Sequence, residues 1–411
     1  PRDEGFKFWS QLEGIVCGED LLAQPIENGQ LCWLSQAFVI KGVAPWFIFR
    51  FTGLKFVSYA LDKLWCSKEV PSGVRDINTK PELIQRTEQH LAPEKYAAKY
   101  FVAYLGYTPL FGSGPFLSYN AFVSQMESPQ QTYSRRSVFW YGIQLLLCMV
   151  FFEIFSVAWW YSQKLNQLTC EPGGVYPRCI FDDLPLWELY LGMHVRLHFS
   201  WMSLLIIWRF ARLMGLLDGV DSPENMLDCA SFQYSFEGFW RIWHASMNRF
   251  MLRYLYNPLG GKRRTWLAVP AVFLFVAYWH ENTGFWTQRF WYTWGFLNAV
   301  GVTLEKALVD TVGKSIMARA RKGNLFAQGL CFVARGIVPI FVILANVPPL
   351  YAENTMHFYR SLLLRGWESV VVIVAVVLAW ASINYVVQSL RTAAASMPLG
   401  VQQPLKQGKP A

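Results

Sequence analysis

Apolar residues gather into long runs separated by short charged stretches, and the runs set the expected elements. Ser137 to Tyr161 is the cleanest early run, with Glu153 as its one acid. It meets the length of about 20 residues that a helix needs to cross the hydrocarbon core. Leu186 to Phe210 is a second such run and carries His194, Arg196 and His198. Thr265 to Trp279 is apolar but short and is bent at Pro270; Phe290 to Leu304, Leu330 to Leu350 and Val370 to Leu390 follow. Leu31 to Phe51 is an imperfect span, interrupted by Lys41 and Pro45. Tyr100 to Gln125 holds Gly106, Pro109, Gly112, Gly114 and Pro115, which argue against a straight helix. A broken or re-entrant segment is expected there, which membrane depth allows where protein covers the backbone. Ser67 to Lys99, charged and punctuated by prolines, reads as a loop. The pattern predicts about six spans and two or three partial ones, in a membrane-embedded region of residues 31–395 between a polar segment 1–30 and a polar tail 396–411.

Composition agrees. Of 411 residues 53% are hydrophobic and only 16% charged, too apolar for an ordinary soluble enzyme. Aromatics reach 17%, which suits a chain crossing many membrane interfaces. The net charge of +9 does not point to nucleic acid, because the basic residues sit between the apolar runs. Arg209, Arg212, Lys262, Arg263 and Arg264, then Lys314, Arg319, Arg321 and Lys322, then Arg391, Lys406 and Lys409 fall on one face. The positive-inside rule makes that face cytosolic. The opposite face then carries Leu165 to Asp183, where Cys170 and Cys179 either pair in an oxidising compartment or stay as two thiols. No CxxC or HExxH spacing is present, and His194 and His198 read as packed core histidines, so no metal and no bound cofactor are expected. The chain begins at Pro1 without a methionine, which suggests that N-terminal helices are missing.

Two histidines stand in aromatic company. The first is in FWRIWHASMNRFMLRYLYNPLGG, Phe239 to Gly261. Read as one helix to Tyr256, it places Phe239, Trp243, Met247, Phe250, Met251 and Tyr254 on an apolar face, with Arg241, Asn248, Arg249 and Arg253 partly off it. That is an interface-lying amphipathic helix, with His244 at its edge and Pro258 and Gly260-Gly261 ending it. The second, His280, closes the short run. A 15-residue helix rises about 22 Å, less than the roughly 30 Å core, so His280 is expected within the membrane profile. It is either a functional residue or a histidine favoured at a helix C-terminus by the dipole.

The stretch around His244 followed by FVAYWHE around His280 resembles the paired signature of the membrane-bound O-acyltransferase (MBOAT) family. YFVAYLGYTPLFGSGPFLSYNAFVSQ, Tyr100 to Gln125, and RFTGLKFVSYALDKLW, Arg50 to Trp65, are similar to elements of its glycerol uptake protein branch. Hedgehog acyltransferases are related. The matches run in family order from about residue 45 to residue 305. The resemblance implies an all-α polytopic membrane protein, an MBOAT-type helical bundle with interfacial and re-entrant helices. It also implies transfer of an acyl chain from a thioester, acyl-CoA, to a hydroxyl or amine. His280 matches the family's catalytic histidine. His244 matches the second motif position, where relatives carry His, Asn or Asp. One departure is Leu304-Glu305, where some relatives have Pro-Glu.

On that resemblance His280 is expected to act as the general base on the acceptor, a role that suits an imidazole with a reference pKa of about 6.5. His244 is expected to orient the acceptor or to stabilise charge on the thioester oxygen. Arg241, Arg249 and Arg253, with Lys262, Arg263 and Arg264, either meet the phosphates of acyl-CoA or only anchor the cytosolic face. Trp240, Trp243, Tyr278 and Trp279 either line an acyl groove or pack. The expected acceptor is a lyso-lipid such as a glycosylphosphatidylinositol (GPI) anchor precursor at the endoplasmic reticulum. The alternatives are a protein acceptor, a glycerol transporter, or a non-catalytic membrane protein that binds acyl-CoA.

Overall fold

In the computed structural model the described residues are 45–68, 83–111, 114–129, 133–167, 184–280, 289–351 and 355–396. The polar segment 1–30, the first part of the Leu31 to Phe51 run, the Cys170–Cys179 loop and the tail from 397 lie outside them. Every regular element among the described residues is helical. Among the described residues four helices are long and apolar enough to cross a membrane: α5 (Arg135–Gln167, over 135–156), α6 (Leu186–Leu217), α12 (Leu325–Ala345) and α15 (Trp367–Ser396, over 367–392). The protein is thus an all-α polytopic membrane protein. Outward-facing Phe139, Leu147, Val150, Phe151 and Ile154 on α5, and Val370, Val374 and Leu378 on α15, are large, apolar and exposed. Hydrocarbon is the solvent such faces need.

Six good spans were expected, and two of them fall short. Thr265 to Trp279 lies in α9 (Thr265–His280), a 16-residue helix rising about 24 Å. Phe290 to Leu304 lies in α10 (Arg289–Leu308), whose polar residues keep it below the apolarity of a span. Ser67 to Lys99 is not all loop: α2 (Leu83–Glu88) forms within it, and Arg86 donates to the Ser124 carbonyl at 2.9 Å and to Ser124 Oγ at 2.8 Å. Tyr100 to Gln125 breaks as its glycines and prolines predict. Helix α3 (Ala98–Gly106) gives way to a 3-10 turn at Thr108–Leu110, an irregular passage, and α4 (Tyr119–Glu127) capped by Ser118 Oγ.

The chain forms two compact units. The first, residues 1–167, 195–227 and 243–264, contains α1 (Pro45–Ser67), α2 to α5, most of α6 and α8 (Ala245–Met251). One core gathers Tyr96, Tyr104, Leu117, Tyr119 and Phe122. A second joins Leu145 and Phe152 of α5 to Met202, Leu205, Ile206 and Trp208 of α6. The second unit, residues 168–194, 228–242 and 265–411, contains α7 (Phe236–Ile242), α9, α10, α11 (Lys314–Arg321), α12, α13 (Val347–Tyr351), α14 (Thr355–Leu363) and α15. In it α9 lies along α10 and α12 along α15. His194 packs against Tyr190 and against Trp380 of α15, at ring-centroid separations of 4.5 and 5.2 Å, and Trp380 donates to the Tyr190 hydroxyl at 2.7 Å.

Candidate active site

His280 is placed by a close helix contact. A Cβ added at Gly295 of α10 would lie 3.1 Å from the Phe273 carbonyl oxygen and 3.2 Å from Ala277 Cβ of α9. Any larger residue there would push the two helices apart by at least a few tenths of an ångström. One turn on from Ala277 is His280, and one turn before Gly295 is Trp291. Their rings therefore stack, 4.2 Å between centroids and 11° between planes. Trp279 and Trp294 stand edge-on to His280 at 4.8 and 6.3 Å. Trp294 in turn meets Trp240 at 5.2 Å and 88°, and both meet Phe273. Buried asparagines fix these indoles. Asn298 accepts from Trp240 Nε1 at 2.9 Å and donates to the Trp294 carbonyl at 2.9 Å, and Asn346 accepts from Trp294 Nε1 at 2.9 Å. The result is a hydrogen-bonded aromatic wall ending at an imidazole, with its rings in the edge-to-face contacts that aromatic quadrupoles favour.

His244 is placed differently. The single helix expected over Phe239 to Tyr256 is broken: α7 stops at Ile242, α8 starts at Ala245, and a π-turn follows over Leu252–Tyr256. The break is His244 itself, at φ 47 and ψ 51 the one non-glycine residue with positive φ among those described. An L-residue in this left-handed region is uncommon and strained. Asn225 secures the break. Its carbonyl accepts from Ala245 N at 2.9 Å, and its Oδ1 accepts from Ser246 N at 2.9 Å. The His244 ring lies flat on Trp208 of α6, 4.3 Å away at 20°. Ser246 Oγ accepts from Phe116 N at 2.8 Å, docking the Gly-Pro passage on α8.

A polar hub supports α8. Asp62, fully buried on α1, accepts from Arg253 at 2.9 Å, the Tyr254 hydroxyl at 3.0 Å and Asn120 N at 3.3 Å. Ser58, one turn earlier, shares a hydrogen bond with the Tyr254 hydroxyl at 2.8 Å and accepts from Tyr119 N at 2.9 Å. Burial pushes the Asp62 carboxyl above its usual range, opposed by the Arg253 charge and by these donors. Burial likewise drives the Tyr254 hydroxyl well up. Lys55, nearly a further turn back on α1, donates to the Tyr104 and Leu105 carbonyls at 3.0 and 3.3 Å and is brought down to about 8 by burial.

The expected binding residues therefore have distinct surroundings. Trp240 and Trp279 belong to the wall around His280, while Tyr278 is 67% exposed. Trp243 packs on the α5–α6 core. Arg241 is exposed and paired with Glu237, one turn earlier. Arg249 is exposed, and the Arg253 guanidinium is held by Asp62 and lies over Trp65. Trp208, Trp291, Trp294, Asn225, Asn298 and Asn346 were not anticipated. The spacing of Trp291, Trp294 and Asn298 at i, i+3 and i+7 was a signal that one helix face holds them. No group of three or more His, Cys, Asp or Glu suited to a metal occurs among the described residues.

The sequence profile of the membrane-bound O-acyltransferase family matches residues 42–330. The chain belongs to the membrane-bound O-acyltransferase family. Among relatives, it is 31% identical over 269 residues to membrane-bound O-acyltransferase gup1 of Schizosaccharomyces pombe, covering 64% of this chain and 43% of the relative. It is 33% identical over 256 residues to GUP1 of Saccharomyces cerevisiae, covering 59% and 43%. Mouse protein-cysteine N-palmitoyltransferase HHAT matches at 28% over 289 residues, covering 65% and 53%. The chain thus spans about half the length of the curated relatives it matches. The MBOAT match includes the Ser58–Asp62 hub, the Gly-Pro passage, His244 and His280.

Proposed function

We propose that this MBOAT chain is a membrane-bound acyltransferase that moves a fatty acyl group from acyl-CoA to a hydroxyl acceptor. The observation that carries the proposal is His280, held at the end of a short apolar helix by the Trp291 stack and the asparagine-locked indoles. An imidazole so fixed loses no orientational freedom on meeting an acceptor, which is where proximity contributes to rate. The acceptor hydroxyl attacks the thioester carbonyl carbon while His280 takes its proton. The C–S bond then breaks, and the imidazolium returns the proton to the CoA thiolate. His244 orients the acceptor or stabilises charge on the carbonyl oxygen. Trp240, Trp243, Tyr278 and Trp279 line the acyl groove, and Arg241, Arg249 and Arg253 meet the phosphates of acyl-CoA. The acceptor is a lyso-lipid of the GPI-anchor precursor type, and the site is the endoplasmic reticulum membrane. A second reading, transfer to a protein, is supported by the likeness to mouse HHAT, whose name specifies a protein cysteine.

The test is transfer of a labelled acyl group from acyl-CoA in membranes carrying the protein or its His280→Ala variant at matched amounts. Label in extractable lipid that the variant loses by at least about 10²-fold supports the reading and identifies the acceptor. Label only in protein, still dependent on His280, favours the second reading. Equal transfer by both overturns the assignment of His280.

A further inference from the structure

A fold rarely keeps a non-glycine residue in the left-handed region unless its surroundings over-determine it, and such residues cluster at functional sites. The surroundings of His244 are over-determined from one direction, the loop 218–228 that follows α6. That loop is fastened at successive residues. Arg212 donates to the Ser222 carbonyl and to the Asp221 carboxylate, both at 2.7 Å. Gln125 of α4 and Asp221 exchange two hydrogen bonds, Asp221 N to Oε1 at 2.7 Å and Nε2 to the Asp221 carbonyl at 3.2 Å. The Tyr141 hydroxyl of α5 donates to Glu224 at 2.9 Å. Next in sequence is Asn225, 1% exposed, with both its oxygens on the first two amides after His244. Its Nδ2 is buried without a hydrogen-bond partner among the described residues. A leucine of similar size would remove that donor but strand the Ser246 amide, whereas an aspartate would accept as well and carry no donor to orphan. The site therefore retains an amide at a cost.

We infer that Asn225 is a positioning residue for His244: the fastened loop delivers it, and its two acceptors hold residue 244 left-handed with the imidazole on Trp208. The inference rests on the acyl-transfer reading. It differs from ordinary helix capping in its consequence, because loss of Asn225 should act on catalysis through His244 and not through stability alone.

The experiment compares Asn225→Leu, Asn225→Ala and Asn225→Asp, each alone and with His244→Ala, in membranes carrying the whole chain. Acyl-CoA transfer is read as kcat and KM, and a thermal melt of each purified variant reports folding. Asn225→Leu should lower kcat about 10²-fold, the cost of misplacing a reacting group by about 1 Å, with KM for acyl-CoA within about threefold. Asn225→Asp, which keeps the acceptor, should recover to within about fivefold of wild type. In the His244→Ala background the Asn225 substitutions should cost less than about twofold more, the non-additivity of groups acting as one. Where Asn225→Leu melts below the assay temperature, Asn225→Ala carries the same comparison. Full activity in Asn225→Leu or Asn225→Ala overturns the inference, as does an equal loss with and without His244. Absence of transfer by the wild type removes the acyl-transfer reading and this inference with it, whereas wild-type transfer that depends on His280 but ignores Asn225 removes the inference alone.

Discussion

Replacing Asp62 with leucine should be among the most damaging single changes in the first unit. Asp62 is fully buried and neutralises Arg253, whose side chain is 17% exposed. Removing one partner of a buried pair costs about 3–5 kcal/mol because the other charge stays behind. The low end applies, since Arg253 keeps some solvent and lies over Trp65 at 5.1 Å. The Asn120 amide loses its acceptor, about 1 kcal/mol more. Tyr254 is partly spared, because Ser58 Oγ still meets its hydroxyl. The sum is about 4 kcal/mol, a large part of the 5–15 kcal/mol that holds a typical domain. At about 2–4 °C per kcal/mol for a unit of 150–250 residues, the midpoint should fall by roughly 10 °C. The assay is thermal unfolding of the purified protein in detergent, followed by tryptophan fluorescence. Adding Arg253→Met should recover about half the loss, because the stranded charge is gone. A midpoint for Asp62→Leu within about 2 °C of wild type would refute the claim that this hub holds α1 to the π-turn that follows α8. So would a double variant no better than the single one.

Gly295→Leu should separate α10 from α9, lift Trp291 off His280 and lower acyl transfer at least about tenfold, while Gly295→Ala falls between; equal rates would show that the Trp291 stack does not position His280. Asn298→Leu should strand Trp240 Nε1 and destabilise the second unit by about 1–3 kcal/mol, seen as a lower melting midpoint with reduced tryptophan anisotropy. Lys55 titrates at about 8 in the fold against 10.5 for an ordinary lysine. Between those values the unfolded chain holds the extra proton, so stability should rise with pH across the window by up to about 1.4 kcal/mol per unit. The difference between wild type and Lys55→Met, measured by melts from pH 7 to 10.5, should show that slope, and no pH dependence of the difference would exclude the buried ammonium.

The long helices were legible because their apolar runs need no partner to be recognised. α5, α6, α12 and α15 each contain most of an apolar run, with ends that differ from it by up to seven residues. The apolar stripe from Phe239 to Tyr254 was also legible, since Phe239, Met247, Phe250, Met251 and Tyr254 are all buried. The break at His244 was not. No glycine or proline marks it, and Asn225, which accepts from the two amides that follow it, lies 19 residues upstream and is brought there by tertiary structure. Arg253 looked like a free cation because its partner, Asp62, lies 191 residues away in sequence. Local pattern carries periodicity, and it carries no information on which distant polar groups meet. The two histidines could be singled out, while the residues that set their geometry could not, apart from the helical spacing of Trp291, Trp294 and Asn298.

The left-handed backbone at residue 244 also limits what mutation can place there. Histidine, asparagine and aspartate are the side-chain-bearing residues most enriched in that conformation, and glycine enters it freely. Valine, isoleucine and the larger aromatics would meet a steric barrier before any question of reactivity arose. A library randomised at 244 and sorted only for folded protein should therefore return glycine, asparagine, aspartate and histidine. Three of these four are the residues that the family resemblance places at this position. The alphabet available to the site is thus set first by a torsion angle, and chemistry selects within it.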